Sequence, residues 1–272
     1  MSKLKIFSFF SGSGFLDLGF EKSGYDVELV NEFSPSFIRA YQYSREKMGL
    51  RKPKYGHSNI DVNEFLTSRS EELAEYMKDA RSDGSLIGFI GGPPCPDFSV
   101  AGKQKGRDGD NGKLSMSYIR LIIAQKPDFF LFENVKGLWR TAKHREYYEE
   151  LKALLSDAGY LMTDRLTNSL EFGAAQDRDR ILLFGVSAEI LARSGAEIQD
   201  FPWSKYMKYS IQEIKEINWP KTEAFQVDST TIKPAEIPED LTAQYWFDRN
   251  EVENHPNAKD HFVPRQGLER MK

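Results

Sequence analysis

Along the first two thirds of the chain, short apolar runs alternate with segments whose apolar residues recur at helical spacing. Leu4–Phe10 is an aromatic and aliphatic run of strand length, and Leu16–Ser23 follows it as a helix. Val27–Val30 predicts a second strand. Ser34–Met48 then spaces Phe37, Ile38, Tyr41 and Met48 along one helical face, with Pro35 in the first turn, where a missing N–H costs nothing. Glu71–Asp79 predicts a helix with an acidic start, and Tyr147–Leu155 another. Leu86–Ile90 and Phe129–Phe132 are continuous apolar runs, the pattern of strands covered on both faces, and Ile181–Val186 closes the series. Alternation of this kind predicts a doubly wound α/β domain whose ligands lie at the carboxyl ends of the strands.

Two segments break the pattern. Pro93–Gly112 is polar, rich in glycine and without a period, too long for an ordinary connection, and long loops in compact α/β domains are usually functional. After Val186 the apolar runs give way to scattered prolines and tryptophans, which places a boundary near Ser187: a catalytic and cofactor-binding domain over 1–187 and a small irregular region over 188–272. The charge divides at the same point. Of 37 basic and 41 acidic residues, 26 and 26 fall in 1–187, leaving 11 and 15 for 188–272. The net charge of −4 argues mildly against a nucleic-acid partner, but the first part is neutral and can still bind phosphates through local cations. With 272 residues and 13% aromatics the chain can bury a large core, and a single cysteine excludes an internal disulfide framework or a multi-cysteine metal site. No run approaches the roughly 18 apolar residues of a membrane span, and residues 1–10 are too short for a signal peptide.

Four constellations carry chemistry. Phe10-Ser-Gly12-Ser-Gly14-Phe-Leu16 follows a strand and opens a helix, where small residues let a ligand reach backbone N–H groups. Glu32, eighteen residues after Gly14 at the end of the next strand, can accept both hydroxyls of a ribose. Gly91-Gly-Pro-Pro-Cys95-Pro follows a buried strand. Its prolines stiffen the backbone around a thiol whose pKa the cations Lys103, Lys105 and Arg107 can depress. In Phe132-Glu133-Asn134-Val135 a strand ends in a carboxyl whose half-apolar surroundings would raise its pKa, suiting it to donate a proton. In Gln176-Asp-Arg178-Asp-Arg180 alternation puts Gln176, Arg178 and Arg180 on one face, aimed at an oxygen-rich ligand. Taken singly, each has a plain structural reading: a tight turn with a surface acid, a small buried thiol, a helix-starting acid and a solvated charge run.

In this order and spacing the four resemble the DNA (cytosine-5) methyltransferase family over about residues 4–187, chiefly through Pro-Pro-Cys95, Glu133-Asn134-Val135 and Gln176-x-Arg178-x-Arg180. The resemblance implies a Rossmann-like, S-adenosylmethionine-dependent methyltransferase fold. It also implies transfer of a methyl group to carbon 5 of a cytosine flipped out of duplex DNA, through a covalent adduct with Cys95. Phe10, Gly12, Gly14 and Leu16 match the family's cofactor loop, Glu32 its ribose acid, and Phe33 the residue beside the adenine. Asn59-Ile60 stands where the family usually has Asp-Ile at the adenine amine, and Pro94 and Leu114 match positions lining the cofactor pocket. Cys95 matches the nucleophile, Glu133 the acid at cytosine N3, and Arg178 and Arg180 the pair that orients the base. Asn168 resembles the asparagine of the family's Leu-Asn-Ala segment. The loop Ser99–Gly112 is placed to close over the flipped base, with Ser99, Lys103, Lys105 and Arg107 toward phosphates. No metal is implied. The setting implied is a prokaryotic or phage restriction–modification system in the cytoplasm, associated with the nucleoid through DNA.

The chain departs from the family pattern in four places. Phe15 replaces a third glycine, Pro96 replaces a glutamine, and Asn59 replaces an aspartate, with Asp61 as a second candidate for that role. The fourth departure is larger. Neither an Arg-x-Leu-Thr-x-Arg-Glu-like nor a Gly-Asn-Ser/Ala-Val-like closing segment occurs in 188–272. The expectation is a subunit of a split methyltransferase, its acidic tail a partial target-recognition or partner-docking region, or else a truncated chain. Three other activities stay open: methylation of RNA (tRNA) cytosine, a DNA-binding subunit that is catalytically incomplete without a second polypeptide, and a dehydrogenase using Cys95.

Overall fold

The computed structural model describes residues 4–94, 110–140, 142–198, 201–217, 219 and 237–251. Seven strands form one sheet in the order β3-β2-β1-β4-β5-β7-β6. These are β1 (Leu4–Phe9), β2 (Asp26–Asn31), β3 (His57–Ser58), β4 (Leu86–Gly91), β5 (Phe129–Val135), β6 (Tyr160–Asn168) and β7 (Asp179–Ser187). β1 lies between β2 and β4 and is parallel to both, and β4, the central strand, is parallel to β5. The first five strands are the expected doubly wound arrangement. β7 runs antiparallel to β5.

Among the helices are α1 (Phe15–Lys22), α2 (Pro35–Lys47), α3 (Ser70–Ala80), α4 (Asp110–Gln125), α5 (Lys136–Arg140) and α6 (Ala142–Asp157). The core is an aromatic layer in which Phe7, Phe9, Phe65, Phe89, Tyr118, Phe130 and Phe132 are all fully buried. Phe9 anchors it, with Phe89 at 4.9 Å and Phe65 edge-on at 5.9 Å. Four of these elements lack the pattern by which the others are predicted: β3 and α5 are too short to show a period, and α4 and β6 fail for reasons of their own. α4 starts inside the polar stretch Pro93–Gly112, although its later residues Tyr118, Ile119, Leu121 and Ile122 are fully buried. β6 lies at a sheet edge with mostly half-buried residues, so it carries no apolar run.

By contacts the chain divides into two compact units, Met1–Leu166 with Arg180–Pro202, and Thr167–Asp179 with Trp203–Lys272. The sequence expectation cuts the chain once, near Ser187; the contacts instead give 167–179 to the later unit and 188–202 to the earlier one. Composition along a chain records neighbours in sequence, whereas Leu170 buries itself with Ile214 and Leu241. In the second unit the indole N–H groups of Trp219 and Trp246 donate to the Ile214 and Asp240 carbonyls, so these aromatics pack within their own unit. No helix among the described residues is long and apolar enough to cross a membrane.

Candidate active site

The chain from the end of β1 to the start of α1 turns through three left-handed positions, Phe10 (φ 53°), Gly12 (φ 55°) and Gly14 (φ 85°). For a bulky residue such as Phe10 that conformation is costly, and strain of this kind concentrates at functional sites. Its ring is held edge-on to Tyr118 at 6.0 Å. Gly14 has no alternative, because a Cβ there would stand 2.4 Å from the Tyr41 ring. The Gly12 N–H donates to Glu32 Oε2 (2.8 Å) and the Ser34 N–H to Glu32 Oε1 (2.7 Å), which ties the glycine turn to the end of β2. Each carboxylate oxygen keeps a lone pair for a further donor. Asn59 donates through Nδ2 to the carbonyls of Glu32 (2.7 Å) and Phe33 (2.8 Å), while the Phe33 ring stands exposed. Asp61 is engaged elsewhere, accepting from the Asn63 backbone as the cap of a 3-10 turn over Val62–Leu66. Ile60 and Leu114 are partly buried against the core, Leu16 is half-buried at the start of α1, and Phe15 is 83% exposed, its ring in solvent. Ser11 Oγ is buried without a hydrogen-bond partner.

Beneath this loop lies a buried polar cluster. Asp17 accepts from Ser8 Oγ (2.8 Å) and Tyr41 Oη (3.0 Å). Arg45 donates through Nη2 to the Gly14 carbonyl (2.5 Å), pairs with Glu21 at 2.8 Å, and lies over the Tyr41 ring at 4.2 Å. Burial pushes the Asp17 carboxyl up to about 6, against the opposing pull of its hydrogen bonds and of Arg45; burial also raises Glu21. The folded state therefore holds the Asp17 proton more tightly than the unfolded chain does. Stability carried by this group is complete below about pH 4 and falls as pH rises toward 6, by up to about 3 kcal/mol. Urea unfolding between pH 4 and 7 is expected to show a shallower fall for Asp17→Asn than for the unsubstituted chain. Parallel curves would contradict the assignment.

Glu133 sits near the carboxyl end of β5. In the antiparallel β5–β7 register Glu133 opposes Leu182 and Val135 opposes Arg180, so Glu133 and Arg180 are diagonal neighbours on one face. Arg180 Nε lies 2.7 Å from Glu133 Oε1, with the two side chains about a quarter exposed (23% and 25%). The carboxylate lies against Gly92, where a Cβ would stand 2.8 Å from Oε2. Gly91 ends β4, and Gly92, Pro93 and Pro94 lead from it toward Cys95. The buried Asn134 has an Nδ2 without a partner while its Oδ1 accepts from the Val135 N–H. Arg178 is exposed, on the segment before β7. Cys95, Ser99, Lys103, Lys105 and Arg107 lie outside the described residues.

The structure thus gathers Phe10, Gly12, Gly14, Glu32, Phe33 and Asn59 at the carboxyl ends of β1 and β2, and joins Glu133 to Arg180 beside Gly92. Sequence reasoning missed Asp17 and Arg45. Their only signal is polar residues on the inward faces of α1 and α2, which reads as ordinary amphipathic variation. Among the described residues no group of three or more His, Cys, Asp or Glu is placed to hold a metal ion.

Comparison with known proteins gives a consistent picture. The family model for C-5 cytosine-specific DNA methylase matches residues 4–268. The chain is 52% identical over 270 residues to the Type II methyltransferase M.NmeDI of Neisseria meningitidis serogroup C, which covers 99% of this chain and 62% of that protein. It is 33% identical over 219 residues to the Type II methyltransferase M.FnuDI of Fusobacterium nucleatum, covering 78% of this chain and 56% of the relative. Among solved structures it is similar to one described as a DNA modification methyltransferase encoded within an E. coli prophage. There the TM-score is 0.56 with 27% identity, over 72% of this chain and 49% of the other. The Dnmt2 methyltransferase of S. pombe shares the fold alone, with a TM-score of 0.54 and 13% identity over 78% of this chain and 57% of the other. The chain therefore spans roughly half to 62% of the length of each of these proteins. Since the family model runs through both the glycine turn after β1 and the Glu133–Arg180 pair, and on to residue 268, this chain belongs to the C-5 cytosine-specific DNA methylase family.

Proposed function

We propose that this chain carries the catalytic machinery that methylates carbon 5 of cytosine in duplex DNA, with S-adenosylmethionine as donor. The observation that carries the reading is the Glu133–Arg180 pair (2.7 Å), held on adjacent strands beside the Gly-Gly-Pro-Pro segment that leads to Cys95. Three separate motifs of the family contribute to that one arrangement.

The residues at the ends of β1 and β2 suit the donor. Glu32 offers acceptor capacity to ribose hydroxyls, Ser11 Oγ is a buried hydroxyl in need of a partner, and Phe33 presents an open face for stacking. Because both Asn59 amide hydrogens are used by backbone carbonyls, its Oδ1 is left to accept from an adenine amine, so Asn59 rather than Asp61 takes that role. Leu16, Ile60, Pro94 and Leu114 complete the pocket. When bound, the sulfonium supplies an electrophilic methyl group.

The protein makes carbon 5 nucleophilic. The Cys95 thiolate forms a bond to carbon 6, and the displaced electron pair is accommodated by a proton or hydrogen bond from Glu133 at N3. After carbon 5 has been methylated, loss of its proton restores the double bond and expels the thiolate. Arg178 and Arg180 hold the extruded base, whose unstacking costs roughly a few kcal/mol. Ser99, Lys103, Lys105 and Arg107 engage phosphates. Residues 188–272 serve target recognition or docking of a second methyltransferase polypeptide, and the work takes place in the cytoplasm.

Incubation with duplex DNA containing 5-fluorocytosine and donor tests the reading. A denaturant-stable adduct whose modified peptide contains Cys95 is the expected result. DNA retention without adduct points to a non-catalytic subunit, and label transfer to tRNA but not DNA points to the RNA activity; either outcome sinks the proposal. Activity that rises on adding the product of a neighbouring reading frame identifies the second polypeptide.

Arg45 supports the cofactor loop from below, through the Gly14 carbonyl. Arg45→Lys keeps a charge beside Glu21 but cannot serve Glu21 and Gly14 together, because lysine lacks the forked donor set. The expected outcome is weaker binding of S-adenosylhomocysteine by about tenfold, or about 1.4 kcal/mol, in calorimetry. Unchanged affinity would show that the loop holds its shape without this bond.

A further inference from the structure

Within Gln176-Asp177-Arg178-Asp179-Arg180 the two aspartates have no part in the reading above. In the structure both are held by one side chain. Asn168 donates through Nδ2 to Asp177 Oδ1 (2.7 Å) and to Asp179 Oδ1 (2.9 Å), one amide hydrogen for each carboxylate. Its Oδ1 accepts from the Leu170 N–H (2.9 Å), so the orientation of the amide is fixed by chemistry: the oxygen faces a donor and the nitrogen faces two acceptors. In extended chain, residues two apart share a side. Fixing Asp177 and Asp179 on the Asn168 side turns Arg178 to the opposite side. The Arg178 backbone is held as well, its carbonyl accepting from the N–H (3.1 Å) and Oγ (3.3 Å) of Ser169.

The clamp stands on a firm base. Asn168 and Glu171 form a reciprocal capping box on the 3-10 turn Ser169–Phe172, the Asn168 N–H donating to Glu171 Oε2 (2.7 Å). The Glu171 carbonyl accepts from the N–H groups of Lys208 (2.8 Å) and Tyr209 (3.1 Å), and Leu170 is buried with Ile214 and Leu241.

We propose that Asn168 is a positioning residue for Arg178: by gripping the aspartates on either side of it, Asn168 presents the guanidinium to the extruded cytosine. The inference rests on the proposed function, and it makes Asn168 act on the nucleic-acid step while leaving the cofactor step alone.

Two variants separate this role from capping. Serine and aspartate are both good caps, so Asn168→Ser and Asn168→Asp retain an acceptor for the Leu170 N–H. Neither retains the two donors, and Asn168→Asp adds a third carboxylate facing Asp177 and Asp179. The readouts are the rate of adduct formation on 5-fluorocytosine duplex DNA, affinity for S-adenosylhomocysteine, and the thermal midpoint. The expected result is adduct formation slowed by about 10- to 100-fold, the scale of a misplaced reacting group, with cofactor affinity within about twofold and the midpoint kept. Asn168→Asp is expected to be the slower variant, and Asn168→Asp combined with Asp177→Asn to recover part of the rate by restoring a donor–acceptor pair. Adduct formation at the unsubstituted rate in Asn168→Ser overturns the inference while leaving the function intact. So does a loss that in both variants tracks a lower midpoint and weaker cofactor binding. Absence of adduct with the unsubstituted chain overturns the function and the inference with it.

Discussion

Replacement of Glu133 by glutamine is expected to lower the single-turnover rate of methyl transfer by about 10²- to 10⁴-fold, the contribution typical of a positioned acid. Glutamine keeps the size of the side chain, so it fits the space that Gly92 leaves and does not disturb the end of β5. In the proposed mechanism, what it cannot do is give up a proton to N3 as the Cys95 adduct forms. The loss of charge also removes the ion pair with Arg180, but both side chains are about a quarter exposed, and an ion pair reached by water contributes only about 0–1 kcal/mol. Folding should therefore survive, and affinity for S-adenosylhomocysteine should stay within about twofold, because the turn proposed to hold the donor belongs to β1 and β2. Rapid-quench measurement with excess enzyme on a hemimethylated duplex checks the rate, and a loss below about fivefold would remove Glu133 from the proton step.

Gly185→Ala is expected to cost about 3 kcal/mol of stability, at the upper end of the range for an overpacked core. Gly185 opposes Phe130 across the β5–β7 pair, and an added Cβ would stand 2.2 Å from Phe130 Cε1 and 2.4 Å from Cζ. The ring cannot retreat. Phe130 is fully buried and packs edge-on against Tyr160 at 5.1 Å, and the Tyr160 hydroxyl donates to the Pro127 carbonyl at 2.8 Å. On the other side of β5 the same solution recurs, with Gly88 of β4 lying under Phe129, where a Cβ would come within 2.1 Å of the ring. Phe129 and Phe130 thus each lie across a neighbouring strand that has no side chain at that place. In a chain of this size the loss corresponds to a fall of roughly 6–12 °C in the thermal midpoint. A fall under about 2 °C would mean that the sheet can part to admit a methyl group.

The β1–β2 end of the fold was legible because its features are local. A strand, a glycine turn, a helix and an acid at the end of the next strand occupy 4–32 without interruption, and each leaves its mark in neighbouring residues. The Glu133 and Gln176–Arg180 motifs were recognisable for the same reason. The edge strand β6 was not, since half-buried positions on both faces impose no alternation. Nor was the start of α4, whose first turn lies in a polar stretch.

The presence of β1, β2, β4 and β5, the glycine turn after β1 and the motifs that hold Glu133 and Arg180 are all written in short stretches of chain, because hydrophobic period and turn chemistry act over a few residues. The antiparallel place of β7, the meeting of Glu133 with Arg180 forty-seven residues later, the Arg45 bond under Gly14, and the grip of Asn168 on both aspartates arise from folding. Their physical basis is pairing between groups far apart in sequence. A buried donor or acceptor must find a partner wherever the packed sheet brings one near, and nothing in the residues on either side of it says which partner that will be.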